Sequence, residues 1–216
     1  MFETVSILAF LATFAIIAVH WIATPTGGSR NVIQGSVHVL SLLLIEQKSS
    51  LLGAVKKLVY LLAVLSFLVL AITGFYPVLV KGKHISGFGM MIHATFAPVF
   101  ALCMAFLAIT WAGANRFTAE DCPWMSRVLR RVTRLQVAVD DRPCRCSLAL
   151  YKAAFWLLLF LSLPLILSIV ISMFHLLGTP WQHATLAMHR WVGMVFVIVA
   201  IIHTYLAIRL RMANAI

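Results

Sequence analysis

Acidic residues are nearly absent from this chain. Six Asp and Glu occur among 216 residues, and none falls in the long apolar runs described below. Charge of either sign is scarce at 11%, whereas 62% of residues are hydrophobic and the mean hydropathy is +1.01. A soluble domain carries roughly 25% charged and about 45–50% apolar residues. Water cannot solvate such a surface, so the bilayer is the expected solvent. The 17 Lys and Arg give a net charge of +11. In a soluble protein that balance would suggest nucleic acid; here the basic residues lie between apolar runs, where they set topology instead.

Cysteine is also sparse, with four residues. No C-x-x-C-H occurs, which excludes the usual covalent attachment of a c-type haem. Cys103 lies in an apolar run and reads as a packing residue. Cys122, Cys144 and Cys146 share one polar loop; they could contribute to a metal site, but they match no common zinc spacing and read first as reduced cytoplasmic thiols. Residues 1–24 lack a basic leading region, and their apolar run is too long for a cleavable signal.

What the sequence does have is five apolar runs, each reaching the ~20 residues needed to cross the hydrocarbon core. They cover about 5–24, 58–79, 87–113, 153–176 and 182–208. Helices satisfy their own backbone groups in lipid, so the expected fold is an all-α integral membrane protein. The first run ends at Thr24-Pro25-Thr26-Gly27-Gly28, and the second is expected to end near Tyr76-Pro77. Residues 31–57 hold an apolar stretch too short to cross, read as an interfacial helix. The chain therefore divides into 1–57, a transmembrane helix with its interfacial segment, and 58–216, a four-helix bundle with a polar loop at 114–152.

Of the 17 basic residues, 14 fall on one side of this arrangement: Arg30, Lys48, Lys56, Lys57, Arg116, Arg127, Arg130, Arg131, Arg134, Arg142, Arg145, Lys152, Arg209 and Arg211. Lys81 and Lys83 fall on the other, and Arg190 lies inside the last run. The asymmetry predicts a cytoplasmic loop and C-terminus, with the N-terminus outside.

Eight histidines remain to be explained. Histidine inside a span is costly and usually functional, and imidazole is a common axial ligand of haem iron. A single buried histidine reads first as a hydrogen-bonded core residue. Spacing separates two of them from that reading. His189 and His203 are 14 residues apart, which returns to within about 40° on a helix and separates them by about 21 Å. Each of His93 and His189 lies about seven residues, or about 10 Å, inside the outer end of its span. Two imidazoles at one depth can clamp one iron. Gly193, one turn from His189, would leave room for a flat macrocycle. Arg190 is a candidate partner for a haem propionate, or else snorkels to the outer surface. His203 needs a second ligand, for which His38 is preferred, because its segment leads into the second span, and His20 is the rival. His84, His175 and His183 gather near the outer surface.

These stretches resemble the bacterial membrane cytochrome b family that includes the b subunits of formate dehydrogenase and of nickel–iron hydrogenase. The resemblance rests on Leu65-Ser66-Phe67-Leu68-Val69-Leu70-Ala71-Ile72-Thr73-Gly74, on Ile92-His93-Ala94, and on Met188-His189-Arg190-Trp191 with His203-Thr204-Tyr205. It covers 58–212 without the loop, leaving the N-terminal helix as an addition to the family's four. It implies a haem-binding bundle with two b haems: an outer one on His93 and His189, an inner one on His203. The family's first-helix ligand falls near Tyr60 here.

The resemblance further implies an electron conduit in the bacterial inner membrane. It would work between a membrane quinone and a redox partner subunit bearing iron–sulfur clusters or multiple c haems. No segment resembles a nucleotide, flavin or molybdenum site, so the chain is not expected to be catalytic alone. The alternatives are a transporter using histidines as a proton relay, and a structural anchor without haem. The spans after the first lack the Asp, Glu and Lys that relays commonly use.

Overall fold

The helices run well past the apolar windows that define them. The computed structural model describes residues 1–24, 51–118, 146–173 and 178–214. These form α1 (Phe2–Ala23), α2 (Leu51–Lys81), α3 (Gly87–Trp111), α4 (Cys146–Met173) and α5 (Thr179–Asn214). All five are long and apolar enough to cross a membrane, and no strand occurs among the described residues. The expected five-span, all-α architecture is therefore the observed one.

Two boundaries differ from expectation. α2 begins at Leu51, so the division at 57/58 falls inside a helix. It also runs through Pro77 to Lys81. A proline removes one backbone donor, but the rest of the ladder persists in a span, where neighbouring groups satisfy what is freed. α3 and α4 likewise continue through Pro98 and Pro164. The remainder of the expected interfacial segment, with His38, lies outside the described residues, as do His175, Cys122, Cys144 and most of the polar loop.

α2 and α3 form an antiparallel hairpin, and α4 and α5 form another; contact within each hairpin is far broader than between them. The first hairpin turns through Gly82 and Gly87, both at positive φ (59° and 57°) that a side chain would strain. The hairpins are tied at the loop end of α3. Buried Lys152 donates to the Arg116 carbonyl (2.9 Å), and Trp156 Nε1 donates to the Asn115 carbonyl (2.9 Å). A cation there also complements the negative end of the α3 dipole.

At mid-depth one phenylalanine comes from each of three helices. Phe67, Phe100 and Phe196 have ring centres 6.2, 6.0 and 5.8 Å apart. α1 lies parallel to α5 along its length. Phe2 meets Trp191 edge-on at 5.0 Å, Ser6 Oγ lies 3.3 Å from the Met194 sulfur, and His20 meets Tyr205. Many large apolar side chains face outward, such as Leu102, Ile109 and Phe160, as a lipid-facing surface requires.

Candidate functional site

His93 on α3 and His189 on α5 come together across the seam between the two hairpins. Their ring centres are 6.4 Å apart, with the planes at 75°. The residues matched by depth in the sequence thus meet in space.

Each imidazole is held from behind by its Nδ1. The Thr73 hydroxyl on α2 donates to the Val69 carbonyl at 2.7 Å. Its proton is thereby committed, so at 2.9 Å it accepts from His93 Nδ1–H. His189 Nδ1 lies 3.1 Å from the Leu165 carbonyl on α4, which can only accept. Ser168 Oγ, which itself donates to Leu165, is 3.2 Å from the same nitrogen. Both rings are therefore assigned as Nδ1–H tautomers, each with an unprotonated Nε2. Neither Nε2 has a hydrogen-bond partner among the described residues. This is the arrangement of a metal-ligating histidine, whose second nitrogen is oriented by an outer partner.

The spacing tests the fit to one metal. Metal–imidazole bonds run about 2.0–2.1 Å. Two imidazole nitrogens on one ion would therefore leave the ring centres at most roughly 6.3 Å apart. The observed 6.4 Å fits. Close approach of α2 belongs to the same construction, since a Cβ added at Gly74 would lie 3.4 Å from His93 Cε1. The described residues hold no group of three or more His, Cys, Asp or Glu that could ligate a metal.

Gly193 lies against the neighbouring helix. A Cβ there would meet Leu165 Cδ1 at 3.6 Å, so the glycine faces α4. Arg190 is exposed and has no ion pair among the described residues. His84 and His183 are exposed.

His203 faces α4 as well, stacked on the Tyr151 ring at 4.5 Å and 18°. The Tyr151 main chain lies beside it, but no well-formed hydrogen bond reaches the buried Nδ1. The structure does not bring His20 to it. His20 Nδ1 is 2.6 Å from the Tyr205 hydroxyl, and Tyr205 is two residues, or about 200°, around the helix from His203. Tyr60 packs against Trp111 instead, with ring centres 5.4 Å apart. His20 thus stands at nearly this level but on another side of α5, and the described residues bring no second imidazole to His203.

Between the levels lies the phenylalanine layer. Phe100 is seven residues from His93, and Phe196 is seven from both His189 and His203, or about 10 Å per step along each axis. A separate cavity of about 400 Å³ opens between α3 and α4, where Ala101, Ala105 and Ala108 face Trp156, Phe160 and Leu163.

The sequence reading quoted Thr73 and Gly74 without giving them a role, and missed Leu165 and Ser168. The depth count applied to His93 would have reached Thr73 and Gly74, which stand at a similar distance from the α2–α3 turn. Leu165 acts through its backbone and left no signal in residue type. Models of known protein families give no match to this chain, and neither do the curated proteins.

Proposed function

We propose that the chain is a membrane-anchored b-type cytochrome, the electron-transfer subunit of an oxidoreductase complex. The carrying observation is the pair of Nδ1-anchored imidazoles at 6.4 Å. His93 and His189 would hold a b haem, which when bound supplies one-electron transfer at its iron. Thr73, Leu165 and Ser168 fix the tautomers and orient the rings. Gly74 lets α2 close over His93, and the apolar helix walls keep water away.

In this reading His203 supplies one ligand to a second b haem, with His38 the preferred partner and Arg190 near a propionate of the first. Electrons pass between a quinone in the bilayer and a partner redox subunit; the apolar groove between α3 and α4 offers the quinone a place to lie. The complex would reside in a bacterial inner membrane, with the N-terminus outside.

The proton-relay reading fares worse for a specific reason. Phe67, Phe100 and Phe196 stand between the His93–His189 level and His203, and such a layer offers no group to carry a proton. Electrons, unlike protons, need no hydrogen-bonded chain.

The test is a pyridine haemochrome assay with a haem-to-protein ratio, on the wild type and on His93→Ala, His189→Ala and His203→Ala. Two haems are expected in the wild type, with one low-spin signal missing in each variant. A colourless wild type refutes the cytochrome. A ratio of one refutes the second haem, and two haems with an unchanged His203→Ala show that the inner ligand lies elsewhere. Full spectra in both His93→Ala and His189→Ala refute the first site.

A further inference from the structure

At the end of α1 a second polar cluster forms against α5, unrelated to the paired histidines. Arg209 donates from both terminal nitrogens to Thr24, to its carbonyl at 2.7 Å and to its hydroxyl at 2.9 Å. Its guanidinium also lies 5.6 Å from the centre of the Trp21 ring. One turn deeper, His20 Nδ1 and the Tyr205 hydroxyl are 2.6 Å apart. His20 is exposed, and its Nε2 has no hydrogen-bond partner among the described residues.

Among the described residues no carboxylate answers the charge at this place. Glu3 is the single acidic residue among those described, and it sits at the other end of α1. Arg209 has no carboxylate partner there, yet its fork is already oriented by three contacts. A guanidinium has five donors, and the Thr24 bonds use two.

We propose that the seam between α1 and α5 binds the head group of an acidic phospholipid. The order of groups along the helices matches the order along such a lipid. Arg209 and Thr24 stand where α1 ends, at the level of phosphate, with Trp21 just below them. His20 and Tyr205 stand one turn, about 5 Å, further into the span, at the level of the ester carbonyls. The apolar flanks of α1 beyond them, including exposed Ile16 and Val19, run alongside the acyl chains. A tryptophan at this level is a usual interfacial anchor. A neutral quinone head would leave the Arg209 charge unanswered, which is why a phosphate-bearing lipid is the occupant. This inference does not rest on the cytochrome reading and holds with or without haem.

The experiment uses the full chain, delipidated in detergent and then offered equimolar phosphatidylglycerol and phosphatidylcholine, with retained lipid counted by native mass spectrometry. One well-placed arginine predicts a preference of about fivefold for phosphatidylglycerol. Arg209→Gln should abolish it, and Arg209→Lys should keep most of it, because the charge remains. His20→Phe should weaken it while leaving the Arg209–Thr24 clamp in place. Millimolar inorganic phosphate should not displace the lipid, which separates a lipid site from a free-anion site. Equal retention of the two lipids by the wild type overturns the proposal. So does an unchanged preference in a folded Arg209→Gln or in His20→Phe, or displacement by phosphate alone.

Discussion

The Thr73 hydroxyl sits between two partners: 2.7 Å from the Val69 carbonyl, to which it donates, and 2.9 Å from His93 Nδ1, from which it accepts. That side chain on α2, with the Leu70 main chain beside it, thereby assigns the proton of a histidine on α3 to Nδ1. Thr73→Val keeps the shape and removes the acceptor. Loss of an outer partner of this kind weakens metal binding about 10–100-fold. Haem titration of the apoprotein should show that loss in Thr73→Val and its recovery in Thr73→Ser. Unchanged affinity in Thr73→Val would mean that His93 needs no such anchor.

Gly74 is defined by the 3.4 Å that a Cβ would leave to His93 Cε1. Alanine needs the ring to give by a few tenths of an ångström. Valine adds two methyl groups at the same point and forces the ring or the helix to move, with an overpacking cost of about 1–3 kcal/mol. Gly74→Ala should keep the low-spin spectrum, whereas Gly74→Val should lower the melting temperature in detergent and broaden or lose that signal. A wild-type spectrum in Gly74→Val would show that α2 does not confine the ring.

Phe196 is 4% exposed and touches phenylalanines of two other helices. Truncating such a residue to alanine leaves a cavity and costs about 3–5 kcal/mol. Phe196→Ala should destabilise by that order in a denaturation series while leaving the His93–His189 signal in place, since the ring lies a full layer away. A large spectral change with little loss of stability would contradict the layered arrangement.

The orientation inferred from the basic residues is open to a direct measurement. Cys144 should resist an impermeant thiol reagent in intact cells and react once the cells are broken. Labelling in intact cells would invert the topology.

The five spans were readable in the sequence because lipid imposes a single demand, about twenty apolar residues in helical form, that composition alone reveals. The meeting of His93 with His189 was readable because depth in a membrane is a one-dimensional coordinate that residue counting supplies. The angular arrangement of the helices was not. α4 carries no histidine within its described length, yet it holds His189 through a main-chain carbonyl and turns Tyr151 onto His203. Nothing in residue type marks that role. The end of α2 was misjudged because Pro77 reads as a stop in water, where a freed carbonyl gains solvent, but is accommodated within a span. The pairing of α1 with α5 left no periodic signature at all. It rests on a few contacts, such as Ser6 against Met194 and Thr24 against Arg209, spread along two helices that face lipid elsewhere.

That pairing has a consequence for biogenesis. Among the described helices α1 enters the bilayer first and α5 last, and the two lie side by side. Helices that insert independently associate afterwards, so α1 has to wait in lipid, its His20 and Thr24 without their neighbours, until α5 arrives. The same late helix carries His189, the second of the paired imidazoles. Closing the seam and completing the histidine pair therefore belong to one final event, and a chain interrupted before α5 would have neither.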